Sequence, residues 1–116
     1  MNLTGQKPYQ KGQTKKRSKA ALAAQRRRWE QIRALGCILT HMGINHACKG
    51  RITIHHCGTG GGGRKDHDKV VPLCLNMHTG ADGIDGRQNY SKRTWQETFC
   101  TEDEMLIALA VVECMP

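Results

Sequence analysis

The chain has 116 residues, 18 Lys and Arg against 10 Asp and Glu, a net charge of +8 and 38% hydrophobic residues, so it reads as one small basic domain with appended segments. Two Trp, two Tyr and one Phe leave a thin apolar core, of the kind that a metal or disulfide staple supplements. No apolar run approaches the roughly 18 residues of a membrane span, and Met1 to Lys19 lacks the apolar stretch of a secretory signal. The expectation is therefore a cytoplasmic protein without a membrane partner, whose six cysteines ligate metal or stay free rather than form disulfides.

Charge is placed unevenly. Met1 to Arg33 holds ten Lys and Arg and one acid, Glu30, whereas Ala34 to Pro116 holds eight bases and nine acids. Residues 1–17, with Gly5, Gly12 and Pro8 and only Leu3 and Tyr9 as large nonpolar residues, cannot repay the entropy of folding and read as a disordered basic arm. Such an arm, ending in Lys15, Lys16 and Arg17, is either a nucleic-acid tether or a solubilising tail. Residues 18–116 form the domain proper.

From Ser18 the sequence predicts a capped helix of strong helix formers, stopped by Gly36, with an apolar stripe of Leu22, Trp29, Ile32 and Leu35. The consecutive Arg26, Arg27 and Arg28 fan around it, and at least two face outward, toward phosphate or merely toward water. Cys37 to Cys48 reads as a loop or knuckle. Arg51 to His56 (RITIHH) is the best strand, and Gly58 to Gly63, five glycines in six residues, breaks it. Val70 to Leu75 is a returning strand that Pro72 confines to an edge. A helix beginning near Asn76 is short or interrupted, because Gly80, Gly83 and Gly86 follow. Tyr90 to Phe99 suggests a short helix carrying Trp95 and Phe99 into the core. Thr101-Glu102-Asp103-Glu104 matches a capping box, followed by Met105, Leu106, Leu109 and Val112 at helical spacing. Cys100 and Cys114 read as buried thiols of this C-terminal segment, and His41, His46 and His67 as surface or loop histidines.

The informative constellation is His55-His56 at a strand end, the glycine-rich loop, Asp68, and then Cys74-x-x-x-His78. Adjacent strand histidines face opposite ways. One can bind metal while the other faces substrate, and a histidine in the first turn of the following helix can meet the first across a metal ion.

The stretch ITIHHCGTGGGGRKDHDKVVPLCLNMH, residues 52–78, resembles the HNH endonuclease superfamily, with its ββα-metal fold. With RTWQETFCTEDEML, residues 93–106, it looks most like the RecA-dependent, recombination-enhancing nucleases of phages and prophages. The resemblance spans about residues 34–112. It implies a small α+β fold: an HNH-like ββα-metal domain flanked by N- and C-terminal helices. It puts the general base at His56 and metal ligands at His55 and His78. Asp68 stands where the family has an Asn that orients the base, and Asp82 or Asp85 stands in for a later histidine ligand; carboxylates suit Mg²⁺ or Mn²⁺, and Zn²⁺ is the other candidate.

The paired cysteines of a family structural zinc are incomplete here, with Thr40 and Met77 at two of the places. Cys37 and Cys74 remain, and two of His41, His46 and Cys48 would complete a four-ligand site, with His41 and Cys48 the set adopted. The implied function is hydrolysis of DNA phosphodiesters in phage recombination or processing, in a bacterial host cytoplasm, with DNA and a RecA-type filament as partners. The competing reading is a non-catalytic, zinc-stabilised nucleic-acid-binding protein.

Overall fold

The computed structural model describes residues 18–58 and 68–115. The basic arm with Lys15, Lys16 and Arg17, most of the glycine run, and His67 lie outside the described residues. The fold is a small α+β one: a two-stranded antiparallel sheet with helices flanking it.

Helix α1 spans Lys19–Ala34, and the backbone N–H of Ala21 donates to the Ser18 hydroxyl as expected of an N-cap. Gly36, at φ +85°, ends the helix in the left-handed region that other residues avoid. Of the expected apolar stripe, Ile32 is fully buried and Trp29 and Leu35 pack against the core, but Leu22 is 38% exposed. It lies beyond the end of the core that α1 covers. The segment expected to be a loop or knuckle begins with a single helical turn, α2 (Ile38–His41), which buries Ile38 and Leu39 completely.

Strands β1 (Ile52–His56) and β2 (Val70–Cys74) pair in register, Ile52 opposite Cys74 and His56 opposite Val70. Ladder bonds continue past both ends, Cys57 N–H to Lys69 O and Leu75 N–H to Arg51 O, each 2.8 Å. This phase leaves Pro72, opposite Ile54, with its ring nitrogen facing away from β1, so no ladder bond is lost.

The chain passes directly from β2 into α3 (Leu75–His78), then through a turn to α4 (Lys92–Thr98) and α5 (Glu102–Cys114). The capping box of α5 is present in full: Thr101 Oγ1 accepts from Glu104 N–H, and Glu104 Oε1 accepts from Thr101 N–H. Met105 and Leu109 carry its inner face, Trp95 the inner face of α4. Cys100 is buried as expected, while Cys114 is exposed because it sits in the last, solvent-facing turn of α5. No helix among the described residues is long and apolar enough to cross a membrane.

Candidate metal and catalytic site

Among the described residues His55 is the one buried polar residue of the core, 1% exposed, at the loop end of β1. Three side chains converge on it. Its Nε2 lies 2.7 Å from Glu102 Oε2, its Nδ1 lies 3.2 Å from Asp85 Oδ2, and its ring is edge-on to that of His78, centroids 5.1 Å apart. His78 Nε2 in turn lies 3.4 Å from the same Asp85 oxygen.

The protons can be assigned. A carboxylate only accepts, so His55 Nε2–H donates to Glu102 and the lone pair is left on Nδ1. The Thr53 hydroxyl donates its single proton to Leu73 O (2.8 Å), so at its 2.8 Å contact with His78 it accepts from Nδ1–H, and the His78 lone pair is left on Nε2. His55 Nδ1 is buried without a hydrogen-bond partner. Buried polar atoms of this kind call for an explanation, and a cation is one. Ligands about 2.1 Å from a common ion lie about 3.0 Å apart in octahedral and about 3.4 Å apart in tetrahedral geometry. The separations of Asp85 from the two histidines fall in that range, and the donors therefore fit a divalent metal.

Electrostatics agree. The imidazole of His55 beside it, then that of His78, holds the Asp85 carboxyl well below the usual carboxylate range. Burial works to lower the His55 imidazole, but Asp85 and Glu102 outweigh it and the net shift is upward. Burial likewise works to raise Glu102, and its bond to His55 leaves it lowered.

Of Asp82 and Asp85, it is Asp85 that the structure brings beside the two histidines. The chain after α3 folds back on it, with Ile84 N–H bonded to Met77 O and Asp85 N–H to His78 O, which sets the Asp85 side chain beside His78. Gly83 makes that approach feasible, because a Cβ there would meet His78 O at 2.3 Å. The Asp82 carboxylate instead accepts from Asn76 Nδ2 (3.1 Å) and Asn89 Nδ2 (2.8 Å) and ties the turn together.

His56 faces the other way, its ring edge-on to Trp29 of α1 at 5.5 Å. Asp68 is exposed just before β2, and its charge reaches Arg28, the neighbour of Trp29 on α1.

At the other end of the hairpin, the ligand atoms of Cys37, His46, Cys48 and Cys74 lie within 4.8 Å of one another. His46 takes the place expected of His41. Its Nδ1–H donates to Ile44 O (2.7 Å), which leaves Nε2 buried and without a hydrogen-bond partner, facing this group. His41 Nε2–H donates to Leu35 O, at the end of α1, and does not join. Asn76 anchors the His46–Cys48 loop beside Cys74, through N–H to Lys49 O (3.0 Å) and Nδ2–H to Ala47 O (2.8 Å). Burial first, with the neighbouring thiols adding, pushes the Cys37 thiol up to about 11, a crowding that a cation would relieve.

Of the α1 arginines, all three are exposed, but Arg28 is engaged: its guanidinium holds Glu113 of α5 in a two-point ion pair, Nη2 to Oε1 2.7 Å.

Two participants escaped sequence reasoning. Thr53 lies two residues before His55 on the same strand face, a signal that period two could have supplied. Glu102, forty-seven positions from His55, had none beyond its place in the helix-capping motif.

A two-stranded hairpin running straight into a short helix defines a compact α+β protein with, among the described residues, a cysteine–histidine ligand group at one end and two overlapping groups at the other that share His55, one with His78 and Asp85 and one with Cys57 and Glu102. The chain belongs to the family described as recombination enhancement, RecA-dependent nuclease, whose model matches residues 21–111, well over half of its length. The family description makes it a nuclease associated with RecA and recombination. No curated protein and no solved structure matches it.

Proposed function

We propose that the protein is a metal-dependent DNA endonuclease of the HNH type. It acts in phage recombination or DNA processing in the bacterial cytoplasm, on DNA engaged by a RecA-type filament. The observation that carries this reading is the unpartnered, buried Nδ1 of His55, directed at Asp85 and His78 and one residue from His56.

His55, His78 and Asp85 would hold the divalent ion. Two imidazoles and a carboxylate accept Mn²⁺, Mg²⁺ or Zn²⁺, and the ion would neutralise the scissile phosphate and stabilise the departing 3′ oxygen. His56, steadied by Trp29, removes the proton from the attacking water, and in-line attack leaves a 5′-phosphate. Asp68, two residues before the strand partner of His56, would favour the imidazolium that results. Base and ligand occupy opposite faces of one strand end, so the phosphodiester lies across that end, by Gly58.

Cys37, His46, Cys48 and Cys74 would form a closed structural zinc site. Lys15, Lys16 and Arg17 of the arm, with the outward Arg26 and Arg27, supply phosphate contacts and a strongly salt-dependent affinity. Arg28 serves to hold α1 to α5.

The test is cleavage of plasmid and single-stranded DNA with Mg²⁺ or Mn²⁺, with and without a RecA filament, comparing wild type with His56→Ala and measuring zinc on the same samples. Wild type cuts with the filament present, and His56→Ala binds DNA but cuts about 10²–10⁴-fold more slowly. If neither cuts, yet both bind DNA and retain zinc, the protein is a zinc-stabilised binding module.

A further inference from the structure

We infer that Glu102 is the positioning residue of the metal centre: by accepting His55 Nε2–H it fixes that histidine in the tautomer whose Nδ1 lone pair faces Asp85 and His78. The inference rests on reading those three residues as a metal centre.

Glu102 suits the task because it is itself held. Its side chain is 12% exposed, and its Oε1 receives Gly58 N–H at 3.4 Å and lies 3.5 Å from Lys92 Nζ. Its own backbone N–H is bonded to Gln96 Oε1 (3.0 Å). The carboxylate is thereby fixed from α4 and the start of the glycine run, and Oε2 is left to meet His55.

Glu102 is not a ligand itself. Its 2.7 Å contact to Nε2 is the length of a charge-assisted hydrogen bond and shorter than the separation of two donors on one ion. It also lies on the side of the imidazole away from Asp85 and His78, which face Nδ1. Thr53 performs the corresponding task for His78, with the opposite outcome: His55 carries its proton on Nε2 and His78 on Nδ1. A carboxylate or carbonyl behind a ligating histidine is the usual way such rings are oriented.

The experiment uses the full chain. Long-range ¹H–¹⁵N spectra of the histidine rings, recorded on catalytic-metal-free protein at pH 8.5, report the tautomers, and electron paramagnetic resonance of free Mn²⁺ reports affinity and stoichiometry. Wild type shows His55 as the Nε2–H form and His78 as the Nδ1–H form.

Glu102→Ala mixes the His55 tautomers, leaves His78 unchanged and weakens Mn²⁺ about 10–100-fold at unchanged stoichiometry. Glu102→Gln, whose Oε1 accepts the same bond, retains the tautomer and most of the affinity, which guards against misfolding of the Ala variant. The inference is overturned if Glu102→Ala keeps the wild-type tautomer and affinity, or if both variants lose the ion outright, which makes Glu102 a ligand. Wild type with the stated tautomers but no Mn²⁺ binding would instead sink the metal-centre reading and leave the proton assignment standing.

Discussion

The two ligand groups sit at opposite ends of one hairpin and share the short helix α3, which begins after Cys74 and ends at His78. They differ in hardness and in closure. Cys37, His46, Cys48 and Cys74 offer three sulfurs and a nitrogen, a complete tetrahedral set that leaves no position for substrate. His55, His78 and Asp85 offer two nitrogens and an oxygen from an exposed aspartate, a set that is incomplete by itself and open on one side. The same hairpin thus presents one group suited to holding the fold and another suited to meeting a phosphate.

The sharpest way to break the comparison is at Cys74. Cys74→Ser removes a fully buried thiol of the cysteine–histidine group at the junction of β2 and α3. Bound zinc falls by about one equivalent, and Cys74→Ser lowers stability by several kcal/mol, since metal binding at such sites is folding energy. Metal analysis with thermal melting checks it; retention of zinc would dissolve the distinction between the two groups.

Next come the two aspartates. Asp85→Asn abolishes tight Mn²⁺ binding and cleavage while leaving zinc in place. Asp82→Asn leaves Mn²⁺ bound and only loosens the turn, because its partners are Asn76 and Asn89. Calorimetric titration with Mn²⁺ separates them.

Gly83→Ala forces a methyl against a backbone carbonyl. It destabilises by about 1–3 kcal/mol, seen as a fall in Tm, and weakens Mn²⁺ because the turn can no longer present Asp85 to His78.

A smaller effect separates the groups by pH. His55 is shifted up, so its stabilising contribution in metal-free protein is full below its ordinary value of 6.5 and fades as pH rises through the shifted one. Asp85 and Glu102 are shifted down from 3.8 and 4.5, so theirs are present above those values and fade as pH falls. Tm without Mn²⁺ therefore peaks between about pH 4.5 and 6.5. The rise in Tm on adding Mn²⁺ grows as pH increases beyond that, since binding must displace the His55 proton. A flat metal increment from pH 5.5 to 8 would contradict this.

The smallest effect lies at the surface. Arg28→Ala removes an exposed ion pair and costs about 0.2–1 kcal/mol, with less loss of DNA affinity than Arg26→Ala or Arg27→Ala.

Much of the fold was legible because its signals are local. Ser18, Gly36 and the Thr101 capping box each act within one turn of chain, and the strand alternation that sends His55 and His56 to opposite faces follows from the pleat. His55 and His78 were legible as partners for the same reason: one ends a strand and the other lies in the next turn. What sequence spacing left open was decided by tertiary routing. Helical spacing offers Asp82, four residues after His78, but α3 stops at His78 and a glycine-packed turn delivers Asp85. His41 lies nearer Cys37 in sequence, yet Asn76 pins the later loop, and His46 arrives instead. Leu22 was expected in the core but lies past its edge, which no periodicity along α1 can reveal.

Pro72 carries a last consequence. In a ribbon of only two strands each outer side is a row of amides able to recruit a stranger's strand. The ring of Pro72 deletes the central donor on the outer side of β2 without touching the ladder to β1. A hairpin exposed during synthesis or partial unfolding can therefore close on itself but offers a broken template along β2, and strand addition to that edge is disfavoured at the stage when the helices do not yet cover it.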